Sequence, residues 1–237
     1  MLKKIILFLF FICVLSFCIS FALTNDSRFI TYILNPKEKN VKLYWKDDSG
    51  KILNQFTNLE SFVAKRNQKL IFAMNAGMYK EDFSPLGLYI ENNKTLQKLN
   101  SSSGNGNFYL KPNGVFYITK DKIAKISKTD DFMPSNAISF ATQSGPMLVI
   151  DGEIHPEFKE HSTNLNIRNG VGILPNNEII FAISSDEINF YDFANYFKKM
   201  GCKNALYLDG FVSRIYFPKM KKIHTDGKFG VMIGVSE

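Results

Sequence analysis

The chain has 237 residues, with 29 Lys and Arg against 22 Asp and Glu, giving a formal charge of +7. Its basic residues are scattered and not interleaved with aromatics, a pattern that speaks against a nucleic-acid partner. Cys13 and Cys18 fall in the apolar N-terminal segment, so Cys202 alone remains beyond it and the domain must fold without an internal disulfide, as a chain of this length can.

Met1-Leu2-Lys3-Lys4 precedes an apolar run from Ile5 to Leu23, with Ser20-Phe21-Ala22 as a small-residue cleavage site. This reads as a signal peptide over residues 1–22, cleaved after Ala22 and directing the protein to the periplasm or the exterior. The alternative is an uncleaved N-terminal anchor, which would be the only membrane contact. Residues 23–237 carry no repeat, proline-rich linker or low-complexity tract, and read as one domain.

Phe29–Leu34 and Val41–Trp45 are strand-like, separated by a turn at Pro36 and followed by the hairpin-loop sequence Lys46–Lys51. A short helix is expected over Asn58–Lys65, then a strand over Leu70–Met74 that runs into Asn75-Ala76-Gly77. Leu86–Glu91, Phe108–Leu110, Val115–Thr119 and Lys122–Ile126 are further short strands, with a polar loop at Ser101–Asn107. Met147–Ile150 is closed by Asp151-Gly152, a strong hairpin signal. After a polar loop from His155, Val171–Leu174 and Glu178–Ser184 are strands.

Phe193, Ala194, Phe197 and Met200 share one face of a helix over Tyr191–Met200, with Asn189 as N-cap and Gly201 where a left-handed C-terminal cap belongs. The chain then returns to the apolar strand ending in Asp209 and closes on a strand over Phe229–Val235. Many short strands and few helices define an α+β domain of mixed or antiparallel sheets, expected as two packed sheets with a small helical face.

Four buried runs end in small and polar residues: Asn75-Ala76-Gly77, Gln143-Ser144-Gly145-Pro146, Arg168-Asn169-Gly170, and Leu208-Asp209-Gly210-Phe211-Val212-Ser213. Polar residues delivered by rigid strands to glycine turns are a common construction of binding and catalytic sites. Each has a plainer reading as a turn, Asp209 included. His155, His161 and His224 lack metal-ligand spacing, so no cofactor is expected, although a structural Ca²⁺ site of Asp and Asn oxygens stays open. Cys202 reads as a packed small hydrophobe.

In this order, and with the helix between the last two, these motifs resemble the phosphodiester glycosidase domain family over roughly Leu70 to Val235. This chain departs from the family pattern at Asn75-Ala76-Gly77, where Asn-Gly-Gly is common, and at Phe211-Val212, where two glycines are common. The resemblance implies an exported hydrolase that cleaves the bond between a sugar and a phosphodiester in a glycan. Asp209 is then the carboxylate facing the anomeric carbon, and Arg168 the fork of donors for the phosphate. Asn75 and Ser213 bond sugar hydroxyls or orient Asp209, while Ser144, Gly145, Gly210 and Gly77 supply donors or close approach around the substrate. Asp186 and Glu187 are the candidates for any general acid. A different class of function, a noncatalytic glycan-binding module, would use Tyr79, Phe83, Tyr109, Phe211 and Tyr216 as stacking surfaces.

Overall fold

A computed structural model describes residues 26–209 and 212–237. The segment read as a signal peptide, and the candidate residues Gly210 and Phe211, lie outside the described residues. In chain order the elements are β1 (Phe29–Leu34), β2 (Asn40–Tyr44), α1 (Phe56–Ala64), β3 (Leu70–Asn75), β4 (Tyr89–Glu91), β5 (Lys94–Gln97), β6 (Gly114–Thr119), β7 (Ala124–Lys128) and β8 (Ile138–Ser144). There follow β9 (Met147–Ile150), β10 (Glu153–Ile154), β11 (Asn169–Ile173), β12 (Ile179–Ser184), α2 (Phe190–Lys199), β13 (Asn204–Asp209), β14 (Ile215–Phe217), β15 (Lys222–Ile223) and β16 (Met232–Ser236).

They form three sheets where two were expected: β1-β12-β11-β13-β9-β10, β15-β14-β3-β16-β2, and β5-β4-β8-β6-β7. Among the described residues every pairing within these sheets is antiparallel. One apolar core is shared by all three, with Phe72 and Met74 from β3, Phe116 and Ile118 from β6, and Phe181 and Ile183 from β12. The alternation of a strand explains why β12 is apolar throughout. Ile179, Phe181 and Ile183 enter that core, while Ile180 and Ala182 face a second cluster beneath α2.

Each helix covers the outer face of one sheet. In α2, Phe193, Ala194 and Phe197 pack against Tyr207 and Leu148 of the six-stranded sheet. The Asn189 side chain accepts from the Asp192 backbone N–H at 2.8 Å, and Gly201, at φ +83°, follows the helix end in the left-handed region. In α1, Phe56, Leu59 and Val63 are buried against Tyr44, Tyr216 and Phe229. Among the described residues no helix is long and apolar enough to cross a membrane. Cys202 is buried in the cluster beneath α2, and burial pushes its thiol up to about 12, where it is an inert packing group.

The segment over Phe108–Leu110, expected as a strand, is a 3-10 turn over Asn107–Tyr109. Its backbone bonds to itself, Tyr109 N–H to the Gly106 carbonyl and Leu110 N–H to the Asn107 carbonyl, while the Asn113 side chain takes the Phe108 carbonyl. The Tyr109 and Leu110 N–H groups and the Phe108 carbonyl are therefore engaged locally rather than in a ladder.

The loop after β10 is anchored by His155, 1% exposed, stacked on Phe158. Its Nδ1 accepts from the Glu157 backbone N–H at 3.2 Å, so the ring proton sits on Nε2 and is given to the Lys111 carbonyl at 3.1 Å. Burial holds its pKa below the ordinary 6.5. An unfolded imidazole therefore takes up a proton as the pH falls through about 6.5 while the folded one resists. Stability is complete above that pH and declines below it. We expect the thermal midpoint to fall between pH 7 and pH 5, and His155→Gln to flatten that decline. An unchanged slope in the variant would remove His155 as its source.

Candidate functional site

Three strand ends meet at one point. β3 ends in Asn75, β13 ends in Asp209, and β11 begins with Asn169, and all three side chains are buried. Asn75 Nδ2 donates to Asp209 Oδ2 at 2.6 Å. Asn169 Nδ2 donates to the Asn75 carbonyl at 2.9 Å and to its Oδ1 at 3.0 Å, while Asn169 Oδ1 accepts from the Asp209 backbone N–H at 3.1 Å. Asn75 Oδ1 also accepts from the Arg214 backbone N–H at 2.8 Å. Asn75 and Asn169 thus have their amide orientations fixed from both ends, and together they hold the Asp209 carboxylate and its backbone.

Asp209 lies at one side of a cleft of about 500 Å³, walled by Met78, Tyr79, Leu86, Phe108, Tyr109 and Val212. Lys80, Glu81, Asn105 and Asn107 add its polar rim. Tyr79 donates from Oη to the Lys228 carbonyl at 2.8 Å and stacks on Phe83, with ring centroids 5.6 Å apart. Burial, reinforced by the negative charge of Asp209, pushes the Tyr79 phenol up to about 12, so it stays protonated at neutral pH. An aromatic-walled cleft with one carboxylate held by amides and a mixed-charge rim suits a sugar carrying a polar or charged substituent.

The other candidate residues support this point from behind or lie apart from it. Gly77 is pressed against β8, and a Cβ there would collide with the Thr142 hydroxyl and come within 2.7 Å of the Gln143 carbonyl. Gly77→Ala is therefore expected to destabilise the fold by about 1–3 kcal/mol, read as a lowered denaturant midpoint; an unchanged midpoint would mean the turn relaxes without strain. Ser144 is fully buried and donates from Oγ to the Leu208 carbonyl at 2.6 Å, tying the end of β8 to β13. Gly145 lets the chain pass Asn113, whose Cβ would lie 2.6 Å from an added methyl. Neither Ser144 nor Gly145 reaches the cleft wall. Ser213 lines a separate cavity.

Arg168 is 0% exposed and is not part of the cleft wall. Its Nε donates to the Ile188 carbonyl at 2.7 Å, Nη1 to Tyr207 Oη at 3.2 Å, and Nη2 to the Asn164 carbonyl at 2.8 Å, while the guanidinium lies 3.6 Å from the Phe190 ring centroid. The fork expected to meet a phosphate is engaged with the protein, bracing β13 through Tyr207. Tyr207 itself is pushed up to about 12 by burial, with the Arg168 charge pulling the other way, and is a neutral partner. Asp186 and Glu187, the expected general-acid candidates, are exposed between β12 and α2, and Glu81 is the carboxyl that shares the cleft with Asp209.

Of the aromatics expected as stacking surfaces, Tyr79 and Tyr109 wall the cleft and Phe83 backs Tyr79. Tyr216 instead packs under α1 and donates to Glu60 Oε1 at 2.6 Å. Among the described residues no three His, Cys, Asp or Glu side chains gather as a metal-binding group.

A family model for phosphodiester glycosidases matches residues 68–232, a span containing Asn75, Asn169, Asp209 and the cleft. Over 186 residues the chain is 42% identical to uncharacterized protein YigE of Escherichia coli K12, covering 78% of this chain and 72% of that one. Its fold is similar to the catalytic domain of zebrafish N-acetylglucosamine-1-phosphodiester alpha-N-acetylglucosaminidase auto-inhibited by its pro-peptide. That match has a TM-score of 0.59 and 16% identity over 90% of this chain and 85% of that one. It is also similar to a hypothetical protein from Synechocystis, with a TM-score of 0.54 and 14% identity over 88% of this chain and 59% of that one. A Burkholderia pseudomallei protein described as a candidate exported protein shares the fold, with a TM-score of 0.56 and 10% identity over 87% and 73% of the two chains.

Proposed function

The chain belongs to the phosphodiester glycosidase family, and on that premise we propose that it is an exported hydrolase cleaving the glycosidic bond between a sugar and a phosphodiester. The observation that carries the proposal is Asp209, held by Asn75 at 2.6 Å beside an aromatic cleft of about 500 Å³. In this reading the sugar lies against Tyr79 and Tyr109, and the phosphodiester is met at the rim by Lys80 rather than by the engaged Arg168. The Asp209 carboxylate serves the anomeric carbon, as nucleophile or as base for the attacking water, and opposes the positive charge that develops there.

Water oxygen ends on the anomeric carbon, the C–O bond breaks, and its electron pair leaves with the phosphate monoester. That leaving group is a weak base and needs little protonation, so Glu81, on the rim, assists but is not indispensable. Export rests on the N-terminal signal sequence, and the substrate on an envelope or extracellular glycan phosphodiester.

The test is incubation of the purified chain with a set of sugar-1-phosphodiesters, following free sugar and phosphate monoester together. Release of both in equal amounts supports the proposal. Binding of such a compound without release, at an affinity that survives Asp209→Asn, would instead make the chain a glycan-binding module.

A further inference from the structure

A second cavity, of about 330 Å³, opens beside Ser213 and Arg214, between the end of β12 and the β14–β15 edge. Ser213, Ser184, Arg214, Lys222, His224 and Asp226 supply its polar wall. Ser213 is 2% exposed and, among the described residues, its Oγ has no hydrogen-bond partner. A buried hydroxyl left in that state is destabilising, and folded proteins almost always provide a partner.

The surrounding groups fix what that partner must be. Ser184 Oγ accepts from the Arg168 backbone N–H at 3.0 Å, which leaves its own proton to give. His224 Nδ1 accepts from the Ile215 backbone N–H at 3.1 Å, so its ring proton is on Nε2. The one carboxylate, Asp226, is already matched by Arg214, through Nε at 2.9 Å and Nη2 at 2.6 Å. Lys222 has no ion pair among the described residues, so its charge remains over. The wall therefore offers hydroxyl, imidazole and ammonium donors from several directions, with a net positive charge and its carboxylate occupied.

We infer that this cavity is a binding site for a tetrahedral oxyanion of the phosphate class, with Ser213 Oγ as its buried donor and Lys222 as its counter-charge. Several oxygens around one centre can meet donors arriving from different sides, which a planar carboxylate cannot do as well. The site is distinct from the aromatic cleft but adjacent to its support, because the Arg214 backbone N–H bonds the same Asn75 that holds Asp209.

The experiment is an NMR titration of the histidine side chains with inorganic phosphate and, separately, with glycerol 3-phosphate, at constant ionic strength. A saturable shift at His224, absent at the exposed His161, is expected. Ser213→Ala should weaken it about tenfold or more, the worth of a buried bond to a charged group, whereas Asp209→Asn should leave it unchanged. Tighter binding of the monoester would identify an esterified phosphate as the ligand, and equal binding the free ion. No saturable shift, a shift reproduced by chloride, or a shift insensitive to Ser213→Ala would overturn the inference. Loss of the shift in Asp209→Asn would place the anion in the aromatic cleft and overturn it as well. Because the readout is binding, it stands or falls apart from sugar-phosphodiester turnover.

Discussion

Asp209→Asn is expected to lower kcat/KM for a sugar-1-phosphodiester by about 10³-fold, within the range that a positioned proton-transfer group supplies, while the protein stays folded. Its side chain receives Asn75 Nδ2 at 2.6 Å, and an asparagine oxygen can accept the same bond. The exchange preserves size and shape at a site only 5% exposed but trades a charge-assisted bond for a neutral one, so stability should fall by about 1–2 kcal/mol, too little to unfold the domain. What disappears is the negative charge that the amide network orients toward the cleft. The measurement is a steady-state comparison of the two proteins with matched far-ultraviolet circular dichroism. A variant with unimpaired kcat/KM would remove Asp209 from the chemistry.

The second large effect concerns Arg168, and it is an effect on the fold. Arg168→Ala deletes the donors to the Ile188 and Asn164 carbonyls and to Tyr207 Oη, and it empties the space over Phe190. Orphaned buried acceptors and a new cavity together cost about 3 kcal/mol or more, a loss of roughly 10 °C in Tm for a domain of this size. Arg168→Lys should rescue little, because an ammonium cannot reproduce a planar fork stacked on an aromatic ring. Thermal melts of both variants check this. A stable Arg168→Ala protein that lost only affinity for the phosphodiester would return the guanidinium to the substrate.

The contrast between Arg168 and Asn169 shows how far the chain could be read before its fold was known. Both belong to one strand-end motif, and both are polar residues ahead of a glycine. Neighbours on a strand point to opposite faces, and the pairing of β11 with β13 shifts register between Asn169 and Gly170. Only that local geometry decides that Asn169 joins Asn75 and Asp209 while Arg168 turns toward Phe190. Asp209 itself was legible, because a run of buried residues ending in Asp-Gly fixes where the carboxylate emerges.

Elsewhere the same logic separates what sequence carries from what tertiary pairing decides. The α2 helix declares itself through Phe193, Ala194 and Phe197 on one face, the Asn189 cap and Gly201. The run Ile179–Ser184 declares a strand buried on both faces. In contrast, β5 over Lys94–Gln97, at the edge of the third sheet, is largely exposed and polar, with no periodicity to mark it. Lys80, Glu81, Asn105 and Asn107 reach the cleft from turns whose composition reports flexibility and not destination.

The central claim is that the bond broken joins carbon to oxygen at the sugar, and hydrolysis in ¹⁸O-labelled water tests it most directly. Cleavage of the glycosidic bond places the label on the anomeric carbon of the released sugar and leaves the phosphate monoester unlabelled, which is the predicted result. Label found in the phosphate instead would mean attack at phosphorus, and would contradict the role assigned to Asp209.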